Sequence, residues 1–388
     1  MSQKLSAMTY IKNNKRRIAV PIVSLCLCFV LTYITGFLLS STDRTLSSVY
    51  LDDAEKIQYI SLSDEALGLS YETSPDTLEE RLDIRNKAVG DLGKKLEKHD
   101  GINKVYSVNI IYGKISPAIG MAYITIPMTD KDTVPVIIDE YGAQLAEGRL
   151  PENPGEIVID RASMDNEGDV LGGYYNYDEY KDKYKIVGVL ASDCYFGCGI
   201  PDKDDYDVRS LLVFSGIHDM KSELKKENIT LTSNDSVYDY DYGEKMIQTE
   251  VTDAIGASTT YIYGGILIIL TVLLLVVYTM YLRERHNEWC LYSSIGFSRT
   301  SIYLSIMKEI LFTFITALLS GAVLIIISVT VLKLLMIDPY GLKCNVFDLE
   351  SIVKILCAYV LLIGVLQIPI YYALFRIRTV DAIEDDLY

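Results

Sequence analysis

The sequence predicts a membrane protein with four transmembrane α-helices and a large extracytoplasmic α+β domain inserted between helices 1 and 2. The first observation is a set of four apolar segments, each 21 to 23 residues long and without a charged side chain. A bilayer core about 30 Å thick needs about 20 helical residues, so each segment can cross it. The second is the acidic segment 42–258, with 22 Lys and Arg against 42 Asp and Glu. The apolar segments are Ile18–Leu39, Tyr261–Leu282, Ile310–Leu332 and Ile355–Phe375.

Helix 1 is interpreted as an uncleaved anchor rather than a signal peptide. Its apolar stretch of 22 residues exceeds the core of a signal peptide, which has about 7–15 residues. Its end at Phe37–Leu39 also lacks a small-x-small cleavage site. The expected order is a cytoplasmic segment 1–17, helix 1 at 18–41, the extracytoplasmic domain at 42–258, helix 2 at 259–282, a cytoplasmic coupling helix at 283–303, helix 3 at 304–335, an extracytoplasmic loop at 336–350, helix 4 at 351–375 and a cytoplasmic tail at 376–388.

Basic side chains set the expected orientation of the helices. Lys and Arg cluster before Ile18, after Leu282 and after Phe375. Cytoplasmic loops carry an excess of Lys and Arg, so these three clusters are expected in the cytoplasm. Both termini then lie on the cytoplasmic side of the plasma membrane, and the acidic domain lies on its outer side.

Within the acidic domain the pattern predicts a mixture of helices and strands. Leucine and valine at helical spacing predict a helix over 77–99, with Asp76 as N-cap and Gly101 at its end. The segment GEKMIQTEVTDAIGAST is expected to form a helical stalk that leads into helix 2. Alternating apolar residues predict strands at KVYSVNIIYG, GMAYITIPM, TVPVIID, EIVID, KYKIVGVL and RSLLVFSG.

Two features of the acidic domain leave alternatives open. The stretch YYNYDEYKDKY holds five Tyr in eleven residues; it is either a recognition surface or a solvated, lightly packed hairpin, and the hairpin is favoured. Cys194 and Cys198 lie in a compartment where oxidation occurs, so they form either a disulfide or two thiols. The lack of His residues near them argues against a metal site.

The sequence carries no recognisable catalytic motif. It contains no GxxxxGK[ST] phosphate loop, no HExxH and no GxSxG, and its three His offer no convincing triad. The apolar segments hold almost no ionisable side chains, which disfavours a channel or an ion-coupled transporter. We therefore expect neither an enzyme nor a bound cofactor or metal, and no nucleic-acid partner.

The segment between helices 2 and 3 carries the functional prediction. Side chains at three- and four-residue steps predict an amphipathic helix along the inner membrane surface, with Trp289 at headgroup depth. Gly296 is expected to end this helix, and Ser298 is expected to N-cap the next one. A basic and acidic run therefore precedes an Ile-Gly turn, a polar pair and a helix that contains a Glu. These residues are Arg283, Glu284, Arg285, Glu288, Leu291, Ile295, Gly296, Phe297, Ser298, Arg299 and Glu309.

This pattern resembles the FtsX-like, MacB-type permeases of ABC transporters, whose loop reads E-x-x-x-L-x-x-I-G. Leu291 stands one residue closer to the Glu than that pattern expects, and Thr379 stands where the family has Pro. The run NNKRR before helix 1, the one large outer domain and the stretches EGRLPENPGEIVID and KYKIVGVL are also similar to the family.

The resemblance implies a permease subunit that transmits motion, driven by a separately encoded ATPase bound at the coupling helix. ATP and Mg²⁺ would belong to that ATPase. It also implies a second permease chain, identical or paralogous, with membrane lipid and an extracytoplasmic accessory protein as further partners. The expected activity is export or removal of a peptide, antibiotic or lipid-linked molecule; the alternative is regulation of a cell-wall hydrolase or sensor kinase. The missing fused ATPase and the abundance of Tyr, Asp and Lys favour a Gram-positive bacterial source.

Overall fold

The computed structural model describes residues 11–345 except 53, 70–76, 178–179, 181, 193, 206 and 248–256, together with 349, 352–353, 356, 360, 364–365, 368 and 370–372. The chain divides into two compact units, which we call the α+β unit and the helical unit. The α+β unit comprises Leu39–Ser258 and Leu334–Asn345, and the helical unit comprises Met1–Leu38, Thr259–Lys333 and Val346–Tyr388.

The described helices and strands are numbered separately, each in chain order. The helices are α1 (Lys15–Tyr50), α2 (Leu78–Leu96), α3 (Val134–Glu140), α4 (Arg161–Glu167), α5 (Met220–Lys226), α6 (Tyr240–Ile247), α7 (Ala257–Ser294) and α8 (Arg299–Leu332). The strands are β1 (Ile57–Ser61), β2 (Ile102–Ile115), β3 (Ala122–Met128), β4 (Gln144–Gly148), β5 (Glu156–Asp160), β6 (Lys185–Ala191), β7 (Gly197–Gly199), β8 (Ser210–Ser215) and β9 (Ser236–Tyr238).

The helical unit consists of long apolar helices. Among the described residues, two stretches are long and apolar enough to cross a membrane, Lys15–Tyr50 and Arg299–Tyr340. Predicted helix 2 falls within α7, and predicted helix 4 at 351–375 lies largely outside the described residues.

The α+β unit is built on one nine-stranded sheet in the order β4-β6-β5-β7-β3-β2-β8-β1-β9. The long strand β2 pairs with β8 through residues 102–108 and with β3 through residues 109–115. It therefore joins the two halves of the sheet. The α+β class predicted for 42–258 is confirmed.

Among the described residues, three clusters of buried side chains hold this unit together. The first packs α4 against β2, β3, β5 and β6 around Tyr184. The second packs α3 against the sheet around Ile137 and Phe196. The third packs α2 and α5 against β1 and β8 around Leu92 and Leu224. Each fully buried side chain of this size contributes about 1.5–3 kcal/mol, so the clusters account for the main stabilisation of the sheet.

Most of the predicted elements are confirmed, one is wrong, and the predicted stalk over 243–259 lies largely outside the described residues. The predicted helix is α2, although Thr77 and not Asp76 caps it, with Thr77 Oγ1 accepting the N–H of Glu80 at 3.3 Å. The segment TVPVIID forms α3 instead of a strand. Its β-branched residues suggested a strand, but the carboxylate of Asp130 accepts the N–H of Thr133, and Pro135 sits in the first turn, where its fixed φ favours a helix.

The tyrosine-rich stretch is a packed part of the core rather than a solvated hairpin. Tyr175 and Tyr184 are almost fully buried, and Tyr177 and Tyr180 pack on the same cluster. Nearby, Cys194 and Cys198 are buried thiols with no disulfide between them. Burial raises the pKa of the Cys198 thiol to about 12, which keeps it protonated and unreactive.

The segment Leu334–Asn345, which we call the return loop, is held by the α+β unit at several points. Asn166 Nδ2 donates to the carbonyl of Tyr340 at 2.9 Å, and the Tyr195 hydroxyl donates to the carbonyl of Gly341 at 2.7 Å. Gly341 has a φ of +57°, and a Cβ there would meet the backbone of Ala162, so this close approach requires glycine. The side chain of Lys343 bonds Ser48 and lies 3.7 Å from the Asp52 carboxylate.

Glu156 anchors the turn between β4 and β5. Its carboxylate accepts two hydrogen bonds from the Arg149 guanidinium, at 2.5 and 2.7 Å, and one from each backbone N–H of Glu152 and Asn153, at 2.9 and 3.1 Å. The Arg149 guanidinium and the backbone donors hold the pKa of Glu156 well below its usual range. The turn within EGRLPENPGEIVID is therefore held by the ion pair between Arg149 and Glu156 of the same stretch.

We expect the Glu156→Gln variant to lower the free energy of unfolding by about 1–2 kcal/mol at pH 7. A carboxyl whose pKa is depressed in the folded state stabilises the protein above its unfolded pKa of about 4.5. That contribution is lost as the pH falls through the folded value. The Arg149 side chain is 46% exposed, so solvent screening places the effect at the lower end.

The measurement is thermal unfolding of the full chain at pH 7 and at pH 4. The difference between wild type and Glu156→Gln should shrink at pH 4. The control is Glu147→Gln, because the ion pair between Glu147 and Arg161 is exposed on both sides and should contribute under about 0.5 kcal/mol. Equal losses in the two variants at pH 7 would contradict the prediction.

Candidate functional site

The predicted coupling segment lies in a helical hairpin, residues 281–309, which we call the hairpin. Its first arm is the end of α7 and its second arm is the start of α8. A separate helix is expected over 283–303, and the structure describes all of these residues. It shows instead that α7 continues without a break to Ser294. Residues 283–294 contain neither Gly nor Pro, so nothing interrupts the backbone hydrogen bonds of α7.

The tip of the hairpin is a well-defined turn that Gly296 and Ser298 form, as predicted. Gly296 has a φ of +99°, a conformation that favours glycine. The N–H of Phe297 bonds the carbonyl of Tyr292 at 3.1 Å, and their rings meet edge to face at 6.1 Å. This is the hydrogen bond and apolar contact of a Schellman motif. Ser298 Oγ then accepts the N–H of Ser301 at 3.3 Å and caps α8.

A buried ion pair joins the two arms of the hairpin. Arg285 of α7 donates to the Glu309 carboxylate of α8, and each side chain is only 3% exposed. The Tyr281 hydroxyl donates to the same carboxylate at 3.2 Å. Two charges buried together are stable only when their hydrogen bonds are satisfied, so this contact fixes the spacing of the arms.

Trp289 is part of this cluster and is buried inside the protein. It is 1% exposed, and the Arg285 guanidinium lies 5.7 Å from the centre of its ring. A guanidinium at this distance is attracted to an indole ring. One face of the amphipathic helix therefore packs inside the protein, while the position of Trp289 relative to the membrane stays a prediction.

Glu288 extends the cluster towards the start of α1. Its carboxylate lies 3.2 Å from Arg285 Nε and 3.8 Å from a guanidinium nitrogen of Arg17. The Arg17 side chain is about half-exposed, so its contact with Glu288 is the weaker of the two. The cluster thus draws on α1, α7 and α8.

The remaining predicted residues lie on the outside of the hairpin. Of the eleven residues of the pattern, the structure brings three, Arg285, Glu288 and Glu309, into the ion-pair cluster and leaves the others around the arms and the tip. The exposed residues are Arg283, Glu284, Leu291, Ile295, Gly296, Ser298 and Arg299.

Sequence reasoning missed the roles of Tyr281 and Arg17. One signal could have found Tyr281, since Tyr281, Arg285 and Trp289 follow one another at four-residue steps and share one helix face. No local signal relates Arg17 to Glu288, because more than 250 residues separate them.

The fold and the hairpin together define a class, a protein of long apolar helices with a large inserted α+β unit and a rigid turn between two of its helices. Residues 261–382 match the FtsX-like permease C-terminal family. The hairpin lies inside this match, so the resemblance stated from its residues is confirmed. The comparison with curated proteins found no match.

Two solved structures are similar to part of the chain. The periplasmic region of MacB from Actinobacillus actinomycetemcomitans has 13% identity and a TM-score of 0.27, and the match covers 52% of this chain and 97% of that one. The extracellular domain of the noncanonic ABC-type transporter YknZ from Gram-positive bacteria has 13% identity and a TM-score of 0.24, with 47% and 98% covered.

Proposed function

We propose that the chain is the permease subunit of an ABC transporter and that a separately encoded ATPase drives it through the hairpin. The observation that carries the proposal is the match of residues 261–382 to the FtsX-like permease C-terminal family. The hairpin lies within these residues. ATP and Mg²⁺ then belong to the ATPase. The chain itself supplies the surface that receives the motion.

The exposed apolar residues of the hairpin suit a docking surface for the ATPase. Leu291 is 56% exposed and Ile295 is 61% exposed. They lie four residues apart at the end of α7, where the N–H of Ile295 bonds the carbonyl of Leu291, and so lie on the same side next to the tip. Two apolar anchors at this spacing are how a helix inserts into a groove on a partner.

The buried cluster suits the transmission of motion. The Arg285–Glu309 pair joins α7 to α8, and the Schellman turn fixes the tip between them. A displacement of the tip would therefore move the two arms as one body rather than bend the loop. Glu288 would pass part of this motion to α1 through Arg17.

The proposed assembly contains two permease chains, identical or paralogous, each with its ATPase, in the plasma membrane of a bacterium, with the Gram-positive class favoured. Both termini and the hairpin tip lie in the cytoplasm, and the α+β unit lies outside. Its work is the export or removal of a peptide, antibiotic or lipid-linked molecule. The alternative, regulation of a hydrolase or a sensor kinase, would show ATP-dependent activation of that partner without movement of any substrate.

We expect the Ile295→Asp variant to lose capture of the ATPase by at least about tenfold, because a charge replaces an apolar anchor that must be desolvated on docking. We expect Glu288→Gln to keep the ATPase bound but to uncouple ATP hydrolysis from the work of the α+β unit. The measurement is affinity purification of the chain in mild detergent, followed by identification of bound chains and assay of ATP hydrolysis.

The matched control for Ile295→Asp is Val170→Asp, the same kind of change at a residue of the α+β unit that is 65% exposed. It should insert normally and retain the ATPase. Full ATPase binding and full function in both Ile295→Asp and Glu288→Gln would rule out this role for the hairpin.

A further inference from the structure

The α+β unit contains a cavity of about 420 Å³, and half of the residues that line it are tyrosines. Ligand pockets in proteins measure about 300–1,000 Å³, so this one can hold a small organic molecule. Its wall comes from the end of α1, from strands β1, β2, β3 and β9, and from α6. These elements are brought together only by the sheet, since the tyrosines are spread from Tyr50 to Tyr242.

Hydroxyl groups of the wall bond one another or the backbone. The hydroxyls of Tyr59 and Tyr141 lie 2.5 Å apart, and those of Tyr112 and Tyr238 lie 3.4 Å apart. The Tyr195 hydroxyl donates to the return loop. With these hydroxyls engaged, it is the aromatic rings that are left to contact an occupant. Their π-faces carry partial negative charge and attract cations.

Asp239 is the one charged side chain among the residues that line the cavity, all of which the structure describes. The residue is 1% exposed, and its Oδ1 accepts the N–H of Tyr242 at 2.9 Å. Its Oδ2 is buried and has no hydrogen-bond partner. Burial raises the pKa of Asp239, and Lys221 and Asp241 are the charged residues whose fields act on it, in opposite directions. A buried carboxylate oxygen without a donor is costly unless a ligand supplies one.

We propose that this cavity binds an organic ammonium cation with an apolar body, the charge held by Asp239 and the tyrosine rings. An anion would be repelled by the carboxylate, and a neutral donor could bond Asp239 Oδ2 but would gain nothing from the negative faces of the rings. The α+β unit already contains one contact between a cation and a lining ring, since Lys343 Nζ lies 5.6 Å from the centre of the Tyr195 ring. The positive charge of Lys343 is balanced by Asp52 at 3.7 Å.

The test is equilibrium dialysis of radiolabelled benzylammonium, which carries N–H donors, against the full chain in nanodiscs of zwitterionic lipid, with empty nanodiscs subtracted. The neutral isostere benzyl alcohol is the matched ligand. We expect the cation to bind at least about tenfold more tightly than the isostere, because only the cation pairs with the carboxylate and the ring faces. No nucleotide or ATPase is present, so the outcome is independent of the proposed function.

Two variants locate the site. Asp239→Asn keeps a side-chain oxygen for the N–H of Tyr242 and should weaken binding of the cation by about tenfold or more. Asp241→Asn makes the same change in charge two residues away at an exposed position, and should leave binding within about twofold. Thermal unfolding of each variant confirms that it is folded. Equal binding of cation and isostere to the wild type, or unchanged binding in folded Asp239→Asn, would overturn the proposal.

Discussion

A Glu309→Leu substitution is expected to lower the free energy of unfolding by about 3–5 kcal/mol, because it leaves a buried charge without its partner. Arg285 is 3% exposed and cannot reach water without separating α7 from α8. Trp289 is the only tryptophan in the chain, and its ring lies 5.7 Å from the Arg285 guanidinium. Thermal unfolding followed by tryptophan emission therefore reports directly on this cluster.

Two further variants separate charge from packing. The double variant Arg285→Met with Glu309→Leu removes both charges and should regain most of the lost stability, since apolar residues of similar volume can replace a buried pair. Glu284→Leu makes the same change at a neighbouring exposed position and should shift the free energy of unfolding by under about 0.5 kcal/mol. If Glu309→Leu unfolds like the wild type, the ion pair does not hold the arms of the hairpin together.

An Asp160→Ala substitution is expected to have an effect of similar size in the α+β unit, about 3–5 kcal/mol. Asp160 is 1% exposed, and its carboxylate accepts the N–H groups of Phe196 at 2.9 Å and of Ala162 at 2.8 Å. It also accepts the N–H and the hydroxyl of Ser163. Alanine would leave these donors without an acceptor in the core and would remove the cap of α4, which presents Asn166 to the return loop.

Hydrogen exchange of the full chain, read by mass spectrometry, measures this effect locally. Protection of β5, β7 and the return loop should fall together in Asp160→Ala. Asp219→Ala is the matched control, because Asp219 caps α5 at an exposed position through a single N–H, that of Ser222 at 3.1 Å. A capping side chain of that kind contributes about 1 kcal/mol. Losses of the same size in both variants would contradict a special role for Asp160.

The sequence carried the local geometry of the hairpin tip but not its packing. Gly296 and Ser298 could be assigned because a positive φ and an N-cap are requirements of single residues. The burial of Trp289 could not, because an amphipathic pattern marks a face without saying whether lipid, water or another helix covers it. The pairing of Arg285 with Glu309 needs the contact between two helices, which no periodicity within one helix contains.

The α+β unit shows the same division. The strands with regular alternation were found, whereas α3 was mistaken for a strand because its β-branched residues outweighed the signals of Asp130 and Pro135. The tyrosine-lined cavity was out of reach of local reasoning. Its walls come from strands far apart in sequence, and only the folded sheet brings the hydroxyls of Tyr112 and Tyr238 to 3.4 Å from each other.

The return loop has a consequence for how the protein is made. The α+β unit is complete only with Leu334–Asn345, which the ribosome produces after Ser258, α7 and α8. At about 5–20 residues per second, translation from Ser258 to the end of the return loop takes roughly 5–20 s. During this delay the contacts that Asn166 and Tyr195 make with Tyr340 and Gly341 do not yet exist. The α+β unit can therefore complete its folding only after α8 has been synthesised. A chain that stops before the return loop exposes an unfinished surface to the proteases that remove defective proteins.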